Sequence, residues 1–172
     1  MPTARSFGIW LVAVIAAVSG PYVVAPAHAR ENLGMYSEWA AFRDAEVPRC
    51  YAISLAIPSK LHRDYQPYVA IGTWPAKGIR NQVHFRLSRK IAKGSGLILK
   101  IDNQRFRLTG GGGDAWATDK KMDAAIVSRI RSAKSMTLFA RGANGKGFSN
   151  TWPLPGAASA MDAATLGCAK LK

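Results

Sequence analysis

The clearest hydrophobic pattern in the chain lies between Asp119 and Trp152. It begins with apolar residues at helical spacing from residue 119 to about residue 133, namely Met122, Ile126, Val127, Ile130 and Ala133. From Ser135 to Arg141 the pattern changes to alternation with a period of two, which is typical of a half-buried strand. Asn144-Gly145 then tolerates the positive φ of a tight turn, so we expect a hairpin back to Trp152.

Shorter alternating segments before this helix predict further strands. They lie at residues 36–43, 49–56, 67–74, 80–89, 97–101 and 105–109. Gly110–Gly113 is expected to be a flexible break, and the Ala-rich segment 157–169 a C-terminal helix that Ser159 and Asp162 cap. Because strands follow strands at hairpin spacing, we predict a mainly β fold. The expected architecture is an antiparallel β-sandwich or open barrel with an amphipathic helix at about 119–133 and a helix at about 157–169.

Residues 1–29 have the pattern of a secretory signal peptide. Arg5 precedes an apolar run from Ile9 to Val18, and Ala27-His28-Ala29 is a small-x-small cleavage site. We therefore predict cleavage after Ala29, an exported protein of the periplasm or medium, and one β-rich domain from 30 to 172. An uncleaved membrane anchor is the alternative, although the apolar core is short for a bilayer. No transmembrane segment is expected after processing.

Export changes the interpretation of the two cysteines, Cys50 and Cys168. An even number of cysteines in an oxidising compartment favours a disulfide bond. Such a bond would tie an early strand to the C-terminal helix. Two buried free thiols are the alternative. A metal site is not expected, because His62 and His84 do not have the spacing of zinc ligands.

The chain is strongly basic, with 24 Lys and Arg against ten Asp and Glu and a net charge of +14. Removal of the signal peptide would leave +13, since it contains one Arg and no acid. A field of this size favours anionic partners. Alternation places five arginines on the outer side of two predicted strands, and these form the predicted basic face: Arg80, Arg86, Arg89, Arg105 and Arg107. A solvated surface that serves solubility is the alternative.

Catalytic motifs are weak in this sequence. His62 and His84 lie in no nucleophile motif, and we interpret them as exposed or locally bonded. The local acids Asp114, Asp119 and Asp123 include two expected at a helix start, so a carboxylate pair for glycan cleavage is not supported. No cofactor motif is present, and the RNA-recognition-like segment Lys146-Gly147-Phe148 departs from the aromatic pattern that follows in that motif.

Trp39, Trp74 and Trp152 offer two interpretations. They are candidates for a carbohydrate-binding platform, because aromatic rings pack against sugar rings. Sandwich folds, however, commonly bury their tryptophans, so we expect at least two of the three in the core.

Several segments together resemble one family. They are PYVAIGTWP, QVHFRLSR, AWATDKKMDAAIVSRIRSAKSM and PLPGAASAMDAA, preceded by a Trp-containing strand and a cysteine strand. This order is similar to that of the invasion-associated locus B family of Gram-negative alphaproteobacteria, from about Trp39 to the C-terminus. The resemblance implies a small β-rich exported protein, associated with host-cell invasion in some pathogens, with no established catalytic residues. Members commonly carry a further cysteine near the first, which this chain lacks.

The sequence therefore predicts an exported, noncatalytic envelope or host-surface interaction protein. Its expected partner is an anionic envelope component or host-surface molecule, contacted through the predicted basic face, and nucleic acid is a poor candidate for an exported chain. A periplasmic hydrolase that acts on glycan or peptide, with Asp114 and its neighbours, is the alternative. No cofactor or metal is expected.

Overall fold

The structure is a computed structural model, and it describes residues 30–44 and 46–169. These residues form one ten-stranded sheet with two α-helices, and every pair of neighbouring strands is antiparallel. The elements are β1 (Glu31–Tyr36), β2 (Trp39–Asp44), β3 (Arg49–Leu55), β4 (Tyr68–Trp74), β5 (Ile79–Arg86), β6 (Leu97–Ile101), β7 (Gln104–Gly111), β8 (Asp114–Trp116), α1 (Lys120–Ile130), β9 (Ser135–Arg141), β10 (Gly147–Pro153) and α2 (Ala157–Cys168). The mainly β prediction with two late helices is confirmed, and the sheet is open.

The sheet order is β1-β2-β3-β4-β5-β8-β7-β6-β9-β10. The sheet folds over itself, so that alternate side chains of both halves meet in one core. Phe85 of β5 packs against Trp152 of β10 with ring centroids 5.2 Å apart. Trp39 Nε1 donates to the Pro153 carbonyl at 2.9 Å, which joins β2 to β10 across the core. The expectation that at least two of the three tryptophans are buried is confirmed, because Trp39 and Trp152 are inaccessible to solvent.

Strand β7 carries the chain from one half of the sheet to the other. Its last residues pair with β8 and the remainder pairs with β6. Gly110 lies in the part that pairs with β8, and a Cβ there would overlap the Asp114 carbonyl. The expected flexible break at Gly110–Gly113 is wrong, since the segment is the end of β7 and a tight turn. Two backbone hydrogen bonds of 2.7 Å fix this turn. The carbonyls of Gly112 and Gly113 accept them from N–H groups of the segment that follows β5.

Helix α1 packs on β5 and starts as the sequence predicts. Asp119 is its N-cap, and its carboxylate accepts a hydrogen bond of 2.8 Å from Met122 N. Asp123 is instead buried and accepts 2.8 Å from Val83 N on β5. On β5, strand β8 pairs with His84–Arg86 and does not reach Val83, so this carboxylate replaces a strand partner at the residue before them.

Helix α2 covers the inner face of β1–β4 with small side chains. Gly156 is its N-cap, so the expected capping box of Ser159 and Asp162 is wrong, and Asp162 pairs instead with Arg131, the C-cap of α1. Cys168, at the end of α2, forms a disulfide with Cys50 of β3, with Cα atoms 5.6 Å apart. The predicted disulfide is confirmed and the alternative of free thiols is excluded. The predicted signal peptide, residues 1–29, lies outside the described residues.

Candidate functional site

An open groove lies on the outer face of β3, β4, β5 and β8, on the side away from α2. Alternation along each strand brings every second side chain to this face. The groove has a volume of about 410 Å³, within the range of small-ligand sites. We call it the aromatic groove, and it is lined by Arg30, Arg49, Tyr51, Ile53, Tyr68, Ala70, Gly72, Trp74, Gln82, His84 and Trp116.

Two small residues of β4 form part of the floor of the aromatic groove. Ala70 pairs with His84, and Gly72 pairs with both Tyr51 and Gln82. A Cβ at Gly72 would lie 2.6 Å from the ring of Trp74, so glycine lets this ring fold across its own strand. Of the three tryptophans considered in the sequence analysis, Trp74 is the one that does not enter the core, and it lines the groove together with Trp116.

His84 lies in the groove and contacts two aromatic rings. Its imidazole stacks on Trp116, with centroids 5.2 Å apart and an interplanar angle of 21°, and Tyr68 meets it edge-on at 5.6 Å. His84 Nε2 lies 2.9 Å from Asp114 Oδ1. The histidine is therefore fixed by stacking and by one hydrogen bond, in agreement with its interpretation as locally bonded.

The Asp114 carboxylate bridges His84 and Arg86. Arg86 Nη1 donates to Asp114 Oδ2 at 2.5 Å, and the Arg86 guanidinium lies 3.9 Å from the ring centroid of Tyr65. Asp114 thus neutralises Arg86 locally, so this arginine is less available to an external anion than the predicted basic face requires.

The opposite end of the groove is cationic. Arg49 Nη2 donates to Asp44 Oδ2 at 3.2 Å, while the guanidinium carbon lies 5.2 Å from the Tyr51 ring centroid. Arg30 lies over Tyr51 and Phe42 at 5.7 and 6.0 Å. Backbone donation from residue 47, together with Arg49, lowers the pKa of Asp44. Burial raises the pKa of the Tyr51 hydroxyl, and both arginines oppose this effect.

The structure separates the predicted basic face into unconnected parts. Strand β8 lies between β5 and β7, and so between their arginines. Arg80 precedes a bulge at Asn81, where the register shifts, so Ile79 rather than Arg80 shares a face with Gln82. Arg89 lies beyond the end of β5, where its Nε donates a hydrogen bond of 2.9 Å to the His62 carbonyl. Only the two arginines of β7 keep the predicted arrangement.

Arg105 and Arg107 are exposed on β7, and the two side chains between and after them are buried as predicted. Lys100 of β6 pairs directly with Arg105, and Ile98 pairs with Arg107. We call Lys100, Arg105 and Arg107 the basic strip. Phe139 of β9 lies opposite Ile98 and is 46% exposed, so an apolar row adjoins these three cations.

The local acids do not converge on one site. Asp119 caps α1, Asp123 is buried against β5, and Asp114 binds His84 and Arg86. His62 is exposed beside Asp64 at 3.4 Å. Across residues 30–44 and 46–169, the structure contains no cluster of three or more potential metal ligands. None of the described helices is both long and apolar enough to cross a membrane.

Sequence reasoning missed most of the aromatic groove. Tyr68 and Trp116 were assigned no role, and Arg30 and Arg49 were not placed in the basic face. The available signal was alternation, which aligns Tyr68, Ala70, Gly72 and Trp74 on one side of a single strand.

Comparison with known proteins supports the fold alone. No family model and no curated protein matches the sequence. The chain is similar to the crystal structure of invasion associated protein B from Bartonella henselae, with a TM-score of 0.55 and 16% sequence identity. The match covers 80% of this chain and 96% of that chain. The fold expected from the resemblance to the invasion-associated locus B family is therefore present in this protein.

Proposed function

We propose that this chain is an exported, noncatalytic interaction protein of the invasion-associated locus B type, which contacts anionic groups of the envelope or a host surface. The fold it shares with invasion associated protein B supports this type. The disulfide supports an oxidising compartment, because such bonds rarely persist in the cytosol.

The basic strip is the observation that supports an anionic partner. Like charges directly opposite each other destabilise a sheet, and here Lys100 of β6 lies directly opposite Arg105 of the neighbouring strand β7. No ion pair within the described residues includes any of the three cations. An external anion would relieve their repulsion through charge-assisted hydrogen bonds. Exposed Phe139 beside them favours a lipid surface among anionic partners, since an apolar ring inserts between headgroups.

The test replaces all three residues of the basic strip with glutamine. Each cation near an anionic membrane contributes about 1 kcal/mol, so the triple variant is expected to bind phosphatidylglycerol vesicles on the order of 100-fold more weakly, with a flatter salt dependence. The matched control changes the same charge on α1, at the exposed Lys120, Lys121 and Arg129. Equal losses in both variants would show that net charge alone matters, and this would refute the assignment.

Phe139→Ser separates a lipid partner from a soluble polyanion. Weaker vesicle binding with unchanged binding of inorganic polyphosphate, a polyanion without a sugar ring, identifies the lipid contact. The noncatalytic assignment rests on the surroundings of His84, whose only hydrogen bond in the described structure goes to Asp114. The groove lining contains no serine or cysteine that could serve as its nucleophile. Release of products from glycan or peptide by the wild type, lost in His84→Ala, would favour the hydrolase instead.

A further inference from the structure

We propose that the aromatic groove is a binding site for a carboxylate-bearing saccharide, distinct from the basic strip. The sugar ring packs on the aromatic walls, and its carboxylate faces Arg49 and Arg30. The site requires no contact with β6 or β7, so it stands independently of the function proposed above.

The shape of the groove suits a saccharide. Its walls combine the rings of Tyr51, Tyr68, Trp74 and Trp116, which come from the neighbouring strands β3 and β4 and from β8. Tyr51 is buried, while Tyr68, Trp74 and Trp116 stay partly exposed and offer ring surface to a ligand in this concave face. Hydrogen-bonded strands hold the backbone beneath them, so the groove is formed before a ligand arrives.

Polar groups in the groove exclude a purely apolar ligand. Gln82 has two donors and two acceptor positions, and the described structure gives its side chain no hydrogen-bond partner. A hydrocarbon would bury this amide beside His84 without replacing its hydrogen bonds to water, which is unfavourable. A sugar offers both surfaces, because the C–H groups on one face of its ring pack on aromatic rings while its hydroxyl edge forms hydrogen bonds.

The two arginines indicate that the sugar is acidic. Arg49 Nε is shielded from solvent and has no acceptor among the described residues, although Nη2 of the same group binds Asp44. Arg30 contacts aromatic rings and takes part in no described ion pair. A guanidinium matches a carboxylate in two parallel hydrogen bonds. Asp44 pairs with Arg49 and Asp114 pairs with Arg86, so Arg30 leaves the groove with a net positive charge at one end.

The experiment compares trigalacturonate with neutral galactotriose, on protein recovered in oxidised form from the periplasm of an expression host. Trp74 and Trp116 are partly exposed in the groove, whereas Trp39 and Trp152 are buried, so tryptophan emission reports binding there. We expect trigalacturonate to bind at least about tenfold more tightly than the neutral sugar. Arg30→Gln and Arg49→Gln should remove most of this preference, and Trp74→Ala should weaken both sugars.

Arg30→Gln keeps the test valid if Arg49→Gln unfolds, because Arg30 precedes β1 and has no described hydrogen bond. The glutamine variant of the basic strip should bind trigalacturonate as the wild type does. If that variant loses binding instead, the sugar sits on the basic strip and the groove proposal is wrong. Binding of neither sugar at millimolar concentration, or equal binding of both in wild type and arginine variants, also overturns it.

Discussion

Loss of the Cys50–Cys168 bond should remove much of the stability of this protein. The bond links residues 118 positions apart, so it closes most of the described chain into one loop. The chain-entropy relation for a loop of this length gives about 16 cal/mol/K, or about 5 kcal/mol at 25 °C. Domains have total unfolding free energies of roughly 5–15 kcal/mol, so the reduced protein is expected near the limit of stable folding.

Urea unfolding of the oxidised and reduced protein measures this effect directly. Reduction keeps both cysteine side chains and removes only the cross-link. Cys50→Ala with Cys168→Ala should then lose somewhat more, since both residues are buried in the core. The slope of free energy against urea should increase on reduction, because an uncrosslinked denatured chain exposes more surface.

Met161→Ala provides the control for local damage to α2. Met161 is buried on the same helix as Cys168, and its truncation should cost roughly 2–5 kcal/mol without changing the urea slope. A loss of less than about 1 kcal/mol on reduction, with an unchanged slope, would refute the view that the bond acts by restricting the denatured chain.

Two further substitutions test contacts that position the core. Burial raises the pKa of Asp123, so its contribution to stability is complete below the unfolded pKa near 3.8 and is lost as pH rises through the higher folded pKa. Asp123→Asn should therefore be at least as stable as wild type at pH 7, with the difference shrinking towards pH 3.5, whereas Asp123→Ala should lose roughly 1–3 kcal/mol by leaving Val83 N–H unpaired. Urea titrations across this pH range check both, and equal stability of the two variants would contradict the hydrogen-bond argument. Gly156→Ala should cost roughly 2–4 kcal/mol in thermal or urea unfolding, because Gly156 has φ +87° and a Cβ would overlap the Tyr36 carbonyl. Gly147→Ala, with no atom within 4 Å of the added Cβ, is its control, and equal losses would contradict the steric argument.

Local periodicity predicted the elements whose burial is regular. Helix α1 and strand β9 were found because each buries one face, as at Ile126 and Leu138. Strand β1 was missed because it is an edge strand with no buried residue, and a bulge near Gly34 interrupts its pairing. Strand β8 has only three residues and follows a two-residue glycine turn, which is too short to show alternation.

The candidate sites depend on strand order, which local patterns do not contain. Alternation placed Arg105 and Arg107 outward correctly, because it needs only one strand. Placing Arg86 beside them required β5 and β7 to be neighbours, and the insertion of β8 separates them and supplies Asp114 as a partner. The rings of the aromatic groove come from distant parts of the sequence, so they form one surface only after the sheet has assembled.

If the predicted cleavage occurs, the position of Arg30 would link maturation to the ligand binding proposed for the aromatic groove. Cleavage after Ala29 would make Arg30 the first residue of the mature chain, and it lies at the cationic end of the aromatic groove. Its new α-ammonium group would add a second positive charge beside the guanidinium. In the precursor the Arg30 nitrogen would instead be part of an uncharged peptide bond. Signal peptidase would therefore complete the site as it releases the protein, and an affinity tag fused ahead of Arg30 would mask the property that an experiment sets out to measure.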